Sequence, residues 1–150
     1  MKTVRELLQD KGYDIWSVGP DDSVYDALKL MADKNVGAVL VTEAGNLVGI
    51  LSERDYARKV ILKGKTSKDT PVREIMTEKV VYVRPDQTSD ECMALMTDKR
   101  VRHLPVIENG QLIGIISIGD VVKEIISHQE FMLEQLENYI TGRVSTRPIS

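Results

Sequence analysis

Two short runs in this sequence combine residues that can do chemistry at a defined spacing. Gly49-Ile50-Leu51-Ser52-Glu53-Arg54-Asp55 sets a hydroxyl three residues before a carboxylate. The run returns 65 residues later as Gly114-Ile115-Ile116-Ser117-Ile118-Gly119-Asp120. Each copy reads as a strand that ends and hands over to a helix. A serine at a helix start can donate to an anion, which free backbone N–H groups and the positive end of the dipole also favour. An aspartate one turn further on can accept from both hydroxyls of a cis-diol. The same spacing is also ordinary helix capping, and the two roles are compatible. Arg54, Arg102 and His103 are further candidates for meeting a phosphate, by charge or by hydrogen bonding. The copies are unequal. Arg54 is matched by Gly119, and Gly37-Ala38 stand where the second copy has Arg102-His103. The two sites should therefore differ in ligand or in affinity.

Other chemistries find no support. His103, His128 and Cys92 do not make a recognisable metal set. Gly64-Lys65-Thr66 resembles the end of a phosphate-binding loop, but the upstream glycine that motif needs would fall at Lys59, and the segment follows a helix, not a strand. There is no nucleophile–base pair and no acid–base pair with a shared setting, so the chain is not read as an enzyme. The single cysteine excludes an intramolecular disulfide and is compatible with a reducing compartment. Its expected role is buried packing.

The elements that must position these residues follow from periodicity. Thr3 caps a helix over 3–11, with Glu6 as capping-box partner, Val4, Leu7 and Leu8 on one face, and Gly12 at its end. Ile15 to Val18 is a short strand, stopped by Gly19-Pro20. Asp22 or Ser23 caps a helix to about Lys34, whose buried face is Val24, Ala27, Leu28 and Met31. Trp16, Met31 and Met96 are read as core. Val36 to Thr42 and Leu47 to Leu51 form a hairpin around Glu43-Ala44-Gly45-Asn46. Ser52 caps a helix to about Leu62, and the polar run 64–70 is a linker.

Then the pattern restarts. Pro71 to Met76 echoes Thr3 to Leu8, and residues 15–61 match 80–126 without a gap, at 17 of 47 positions. Two copies are too few for a solenoid or propeller. A pseudo-symmetric pair, each half completing the other's core, is the expected solution. The final helix continues past the repeat with Phe131, Met132, Leu133, Leu136, Tyr139 and Ile140 and ends at Gly142. Residues 11–70 and 78–134 are the expected domains. The stretch 135–150 is the helix end and, from 143, a mobile tail.

This β-α-β-β-α unit, with x-Pro-Asp after its opening strand and Gly-Ile-x-Ser-x-x-Asp at its close, resembles the CBS domain. The tandem arrangement resembles a CBS pair, or Bateman module, over about residues 3–130. The second copy carries the fuller pattern, with Met76-Thr77, Val101-Arg102-His103-Leu104-Pro105-Val106 and Gly114 to Asp120. The first departs at Gly37-Ala38 and Val39-Leu40-Val41, and has three extra residues before its first strand. The resemblance implies an α/β (α+β) fold: two repeats packed as a pseudo-two-fold pair, sheet against sheet, with two related clefts and a C-terminal helix extension.

It also implies ligands that contain adenosine: AMP, ADP, ATP, NAD or S-adenosylmethionine. Carried over, the motif Asp takes the ribose hydroxyls and the motif Ser the phosphate, giving Asp55 with Ser52 and Asp120 with Ser117. Adenine is expected between short apolar strands, at Val18, Val36 and Val39 in the first cleft and at Val83, Val101 and Leu104 in the second. Gly37 and Ala38 leave room for a larger ligand or a close backbone approach. Ser17, Tyr82 and Pro105 complete the candidate set. No catalytic cofactor is implied. The expected role is a regulatory module that senses AMP, ATP or NAD and signals to an unidentified protein effector. A homodimer is expected, with the last helix covering its interface. The alternatives are a structural dimerisation module or, least favoured, a nucleotide-processing enzyme.

Composition agrees with this reading. The chain has 150 residues, 42% hydrophobic and 29% charged, with a net charge of -3. That balance argues against general nucleic-acid or anionic-membrane binding, though not against a local basic pocket. No apolar run approaches the roughly 20 residues that span a bilayer. The charged start, Met1 to Glu6, is not a signal peptide, and the expected location is the cytoplasm.

Overall fold

A computed structural model describes residues 1–142. The expected mobile tail, 143–150, lies outside the described residues. Helix α1 (Val4–Lys11) is closed by a reciprocal box between Thr3 and Glu6 and ends at Gly12, whose φ of 106° suits glycine. Strand β1 (Ser17–Val18) leads to α2 (Val24–Lys34), capped by the Ser23 hydroxyl and not by Asp22. Strands β2 (Ala38–Glu43) and β3 (Asn46–Ser52) make the expected hairpin. Its turn residues Ala44 and Gly45 both have positive φ, the geometry that follows the twist of paired strands. Helix α3 (Glu53–Tyr56) widens into a π-helix at Ala57–Ile61, close to the predicted end at Leu62.

The second repeat has α4 (Ser89–Lys99), β4 (His103–Glu108), β5 (Gln111–Ser117) and the long α5 (Ile118–Thr141). The β4–β5 turn, Asn109-Gly110, repeats the positive φ pair of the first hairpin. In the first sheet β1 runs parallel to β2, and β2 is antiparallel to β3. In the second, β4 and β5 pair in the same register, with a bulge at the equivalent point. The opening strand of the second repeat shrinks to one parallel bridge, Val83 to Val106.

The segment that leads into each repeat packs on the other repeat. Val4, Leu7 and Leu8 of α1 lie in one core with Val83, Met96, Leu104, Val106, Ile116 and Val121. Val72 and Ile75, around the single 3₁₀ turn Val72–Glu74, lie in the other core with Val24, Met31, Val39, Val41 and Leu51. Backbone bonds repeat the exchange. Val4 and Arg5 donate to Gln87 and Pro85, while Val72 and Arg73 donate to Asp22 and Pro20. Each buried aliphatic side chain contributes about 1.5–3 kcal/mol, so neither core is complete without the other half's leader. A Cβ at Gly49 would stand 2.7 Å from Met76 Sδ, and one at Gly114 would stand 2.7 Å from Leu8 Cδ2. Met76 and Leu8 are the equivalent residues of the two leaders, so both glycines exist to let the exchanged leader come close.

Met31 and Met96 are buried and Trp16 packs half-buried against the first core, as expected. Cys92 is wholly buried in the second core. Burial first, and then the neighbouring Glu91 charge, push its thiol up to about 11, so it packs as a neutral side chain.

Candidate functional site

The exchange decides which residues meet. Ile50 on β3 and Thr77 trade two backbone hydrogen bonds, of 3.0 and 2.9 Å. That pairing lays Thr77 to Val81 of the second leader beside the Ser52–Asp55 junction. The result is a cleft of about 320 Å³ between the two repeats. Ser52, Arg54, Asp55 and Gly37 come from the first repeat, and Val101, Arg102 and His103 from the start of β4 in the second. Ile50, Val80 and Val81 add an apolar wall.

Each motif is a reciprocal capping box. The Ser52 hydroxyl accepts from the Asp55 N–H at 3.2 Å, and Asp55 Oδ2 accepts from both the backbone N–H and the hydroxyl of Ser52 at 3.0 Å. Ser117 and Asp120 repeat all three bonds. The first helical N–H is committed too. Glu53 donates to the Gly37 carbonyl, and Ile118 to the Arg102 carbonyl. With these donors taken and α3 only four residues long, affinity for an anion must rest on side-chain charge more than on the helix end.

That charge is present. Arg54, Arg58, Lys79, Arg100 and Arg102 line the same cleft against only two carboxylates, Glu53 and Asp55. Among the described residues, none of the five cations has an ion-pair partner. Asp55 Oδ1 faces Lys59 at 3.4 Å, and Lys59 is anchored on the Ile75 carbonyl at 2.9 Å.

The second junction is arranged differently. Lys11, at the end of α1, donates to Asp120 Oδ2 at 2.6 Å and to the Ile115 carbonyl at 2.9 Å. Burial works against the Asp120 carboxylate, but Lys11 and the Ser117 donors outweigh it and hold it below the usual range. Lys79 is the counterpart of Lys11 in the second leader and faces open cleft. His103 sits between the two junctions, its Nε2 3.4 Å from where a Gly37 Cβ would be. Burial first, then Lys11 and Arg102, push its imidazole below the ordinary histidine range, against the pull of Asp120. It is neutral at pH 7.

Several sequence-predicted positions fall elsewhere. Val39, Val83 and Leu104 are wholly buried in the repeat cores, and Ala38 and Pro105 are buried as well, so these side chains offer a cleft no surface. Val101, expected beside Ser117 and Asp120, lines the cleft of Ser52 and Asp55. Val36 borders a separate hollow of about 350 Å³ with Gly37, Glu53 and α2, and Val18 packs on the first core. Ser17 and Tyr82 are exposed and do not line the Ser52–Asp55 cleft. Reading by repeat missed Arg58, Lys79 and Arg100. The signal for Lys79 was its place in the second leader, 68 residues after Lys11, once the leaders are known to cross.

Beyond the repeat, α5 carries an open apolar stripe. Leu133 is 67%, Ile140 73% and Tyr139 85% exposed. Among the described residues no group of histidine, cysteine and carboxylate side chains is placed to hold a metal, and no helix is long and apolar enough to cross a membrane.

Fold and site together define a pseudo-symmetric pair of α/β repeats with exchanged leaders and a basic cleft between them. The chain belongs to the CBS-domain family, whose model matches residues 4–62 and 72–127. It is 43% identical over 150 residues to the mitochondrial CBS domain-containing protein CBSX3 of Arabidopsis thaliana, covering 93% of this chain and 72% of that one. It is 33% identical to the CBS domain-containing protein YhcV of Bacillus subtilis (strain 168), covering 86% and 89%.

Among solved structures, a CBS-domain protein of Burkholderia ambifaria MC40-6 superposes with a TM-score of 0.82 at 56% identity, over 85% of this chain and 96% of that one. A hexameric CBS-CP12 protein from bloom-forming cyanobacteria gives 0.71 at 30% identity, over 80% and 70%. The CBS domain pair of MJ0100, in complex with 5'-methylthioadenosine and S-adenosyl-L-methionine, gives 0.72 at 21% identity, over 83% and 96%, and shares the fold alone.

Proposed function

We propose that this protein is a regulatory module that binds an adenine nucleotide, AMP, ADP, ATP or NAD, between its two repeats. The carrying observation is one cleft that joins the Ser52–Asp55 pair, an apolar wall of Ile50, Val80, Val81 and Val101, and a basic rim. The adenosine ligands of the MJ0100 pair support the same chemistry. In this reading Asp55 accepts from the ribose hydroxyls, adenine lies against the valines, and phosphate meets Ser52 and the cations. Arg102 and His103 contribute from across the repeat boundary. Ser117 and Asp120 form a second motif that Lys11 occupies. Binding shifts the relation of the two halves only so far as the ligand prefers one arrangement over another.

We propose no catalysis. Ser52 and Ser117 are both engaged with their own helix carboxylates, and no imidazole is hydrogen-bonded to either among the described residues. Incubation with ATP or NAD should leave both unchanged. The signal passes to a protein effector or through a homodimer that covers the α5 stripe, and the buried, unpaired Cys92 suits a reducing compartment such as the cytoplasm.

A thermal-shift screen with AMP, ATP and NAD tests the binding reading. A ligand that binds only the native state must raise the melting temperature. No shift with any of the three, and no heat on titration, would leave the structural-module reading in its place. The dimer is tested separately by sedimentation of Leu133→Glu/Leu136→Glu, which should run as a monomer if α5 forms the interface.

A further inference from the structure

Given the adenosine site proposed above, we infer that its ligand is a nucleoside di- or triphosphate, selected over monophosphate by Arg58, Lys79 and Arg100. Five cationic side chains share a cleft of about 320 Å³ with two carboxylates, in a chain whose net charge is -3. Like charges confined this way repel, and these five have no ion-pair partner among the described residues. The arrangement is that of a site completed by a polyanion. One phosphate brings about two negative charges and three acceptor oxygens, enough for two or three of the cations. Each further phosphate adds about one more charge and extends the chain of acceptors.

The cations lie on separate elements. Arg54 and Arg58 are on the helix after β3, Lys79 is on the second leader, Arg100 closes α4 and Arg102 precedes β4. A phosphate held at Ser52 has Arg54 beside it in sequence. Arg100 and Arg102 belong to the opposite repeat and Lys79 to the leader that crosses between them, so a phosphate tail that reaches Arg100 spans the boundary between the halves. A sulfonium ligand such as S-adenosylmethionine brings a positive charge to the same place and is disfavoured. His103 is neutral at pH 7 and does not alter the charge balance.

Calorimetric titration of the full chain with adenosine, AMP, ADP, ATP, S-adenosylmethionine and inorganic tripolyphosphate decides it. At low salt ATP and ADP should bind about tenfold or more tighter than AMP, and the gap should narrow as salt rises. Lys79→Ala/Arg100→Ala should erase that gap, with a loss for ATP and ADP about tenfold greater than the loss for AMP. Arg58→Gln, measured separately with circular dichroism as a folding check, should narrow it in part. Equal affinity for AMP and ATP, or an equal loss for every ligand in the double variant, would overturn the phosphate assignment and leave the adenosine site standing. Failure of every adenosine compound to bind, with or without tripolyphosphate binding, would overturn the site itself.

Discussion

The Ser52–Asp55 and Ser117–Asp120 junctions share a sequence pattern, a strand-to-helix turn and the same three capping bonds, yet they present different surfaces. At the first, Asp55 has Lys59 at 3.4 Å from one oxygen and faces a cleft rimmed by five cations with no ion-pair partner among the described residues. At the second, Lys11 has taken the carboxylate at 2.6 Å and the adjacent carbonyl at 2.9 Å. The cause lies in the leaders. The first has a Thr3–Glu6 capping box and three extra residues, so α1 runs a full eight residues and delivers Lys11 to Asp120. The second begins at Pro71 with no side-chain cap and makes only one 3₁₀ turn, so Lys79 stays at the cleft edge. The two repeats share a frame, and a difference outside the motif, in the leaders, separates the two junctions.

The largest expected effects concern the frame. Gly49→Ala and Gly114→Ala should each destabilise the protein by about 1–3 kcal/mol in urea unfolding, because an added methyl overlaps the crossing leader. Gly49→Ala should cost more. Its Cβ would meet the Thr77 carbonyl at 3.1 Å as well as Met76, whereas at Gly114 only the flexible end of Leu8 must move. Equal losses would mean that the two leaders are held alike.

Next come the carboxylates. Asp55→Asn keeps the cap but removes the charged acceptor, and should weaken nucleotide binding by about 10- to 100-fold in titration calorimetry, the worth of charged hydrogen bonds. Asp120→Asn should leave that affinity within about threefold, since Lys11 already holds the group. Comparable losses in the two variants would show that both motifs bind.

Lys11→Met retains the apolar stem and drops the ammonium. It should cost at most about 1 kcal/mol of stability. It should also expose Asp120, seen as a rise in that carboxyl's pKa by NMR titration. An unmoved Asp120 would mean that the contact is not made in solution.

The smallest effect is on pH dependence. His103 is held below the ordinary histidine range in the folded chain, so the unfolded chain binds the proton more readily. Its contribution to stability is complete above the unfolded value near 6.5 and is lost as pH falls below it. His103→Gln should flatten the fall in melting temperature as pH drops below about 6.5. An unchanged slope would assign that dependence to other groups.

Much of the frame was legible in the sequence because it is encoded locally. Thr3 and Glu6, the glycines after Ala44 and Asn109, and the spacing of Val24, Ala27 and Met31 fix their elements without distant partners. The offset of 65 exposed the repeat. Seven of the residues that line the cleft, Gly37, Ser52, Arg54, Asp55, Val101, Arg102 and His103, were legible as candidates, but not that they share one cleft with Arg58, Lys79 and Arg100, because that depends on which leader packs on which repeat. Val4, Leu7 and Leu8 make the same apolar face whichever core receives them. Val39, Val83 and Leu104, expected in an adenine slot, are buried in the repeat cores for a related reason. Their apolar character serves the repeat cores, and the cleft wall comes from Val80, Val81 and Val101 across the boundary. The Ser-x-x-Asp motif was visible from the start, but the cation that distinguishes its copies lies on another element.

The central claim is that the two motifs are unequal, and the number of nucleotides bound per chain tests it most directly. Native mass spectrometry of the wild-type protein titrated with ATP should show one nucleotide per chain before any second addition, with Lys11→Met advancing the second. Two nucleotides adding together at the same ATP concentration in the wild type would contradict the account.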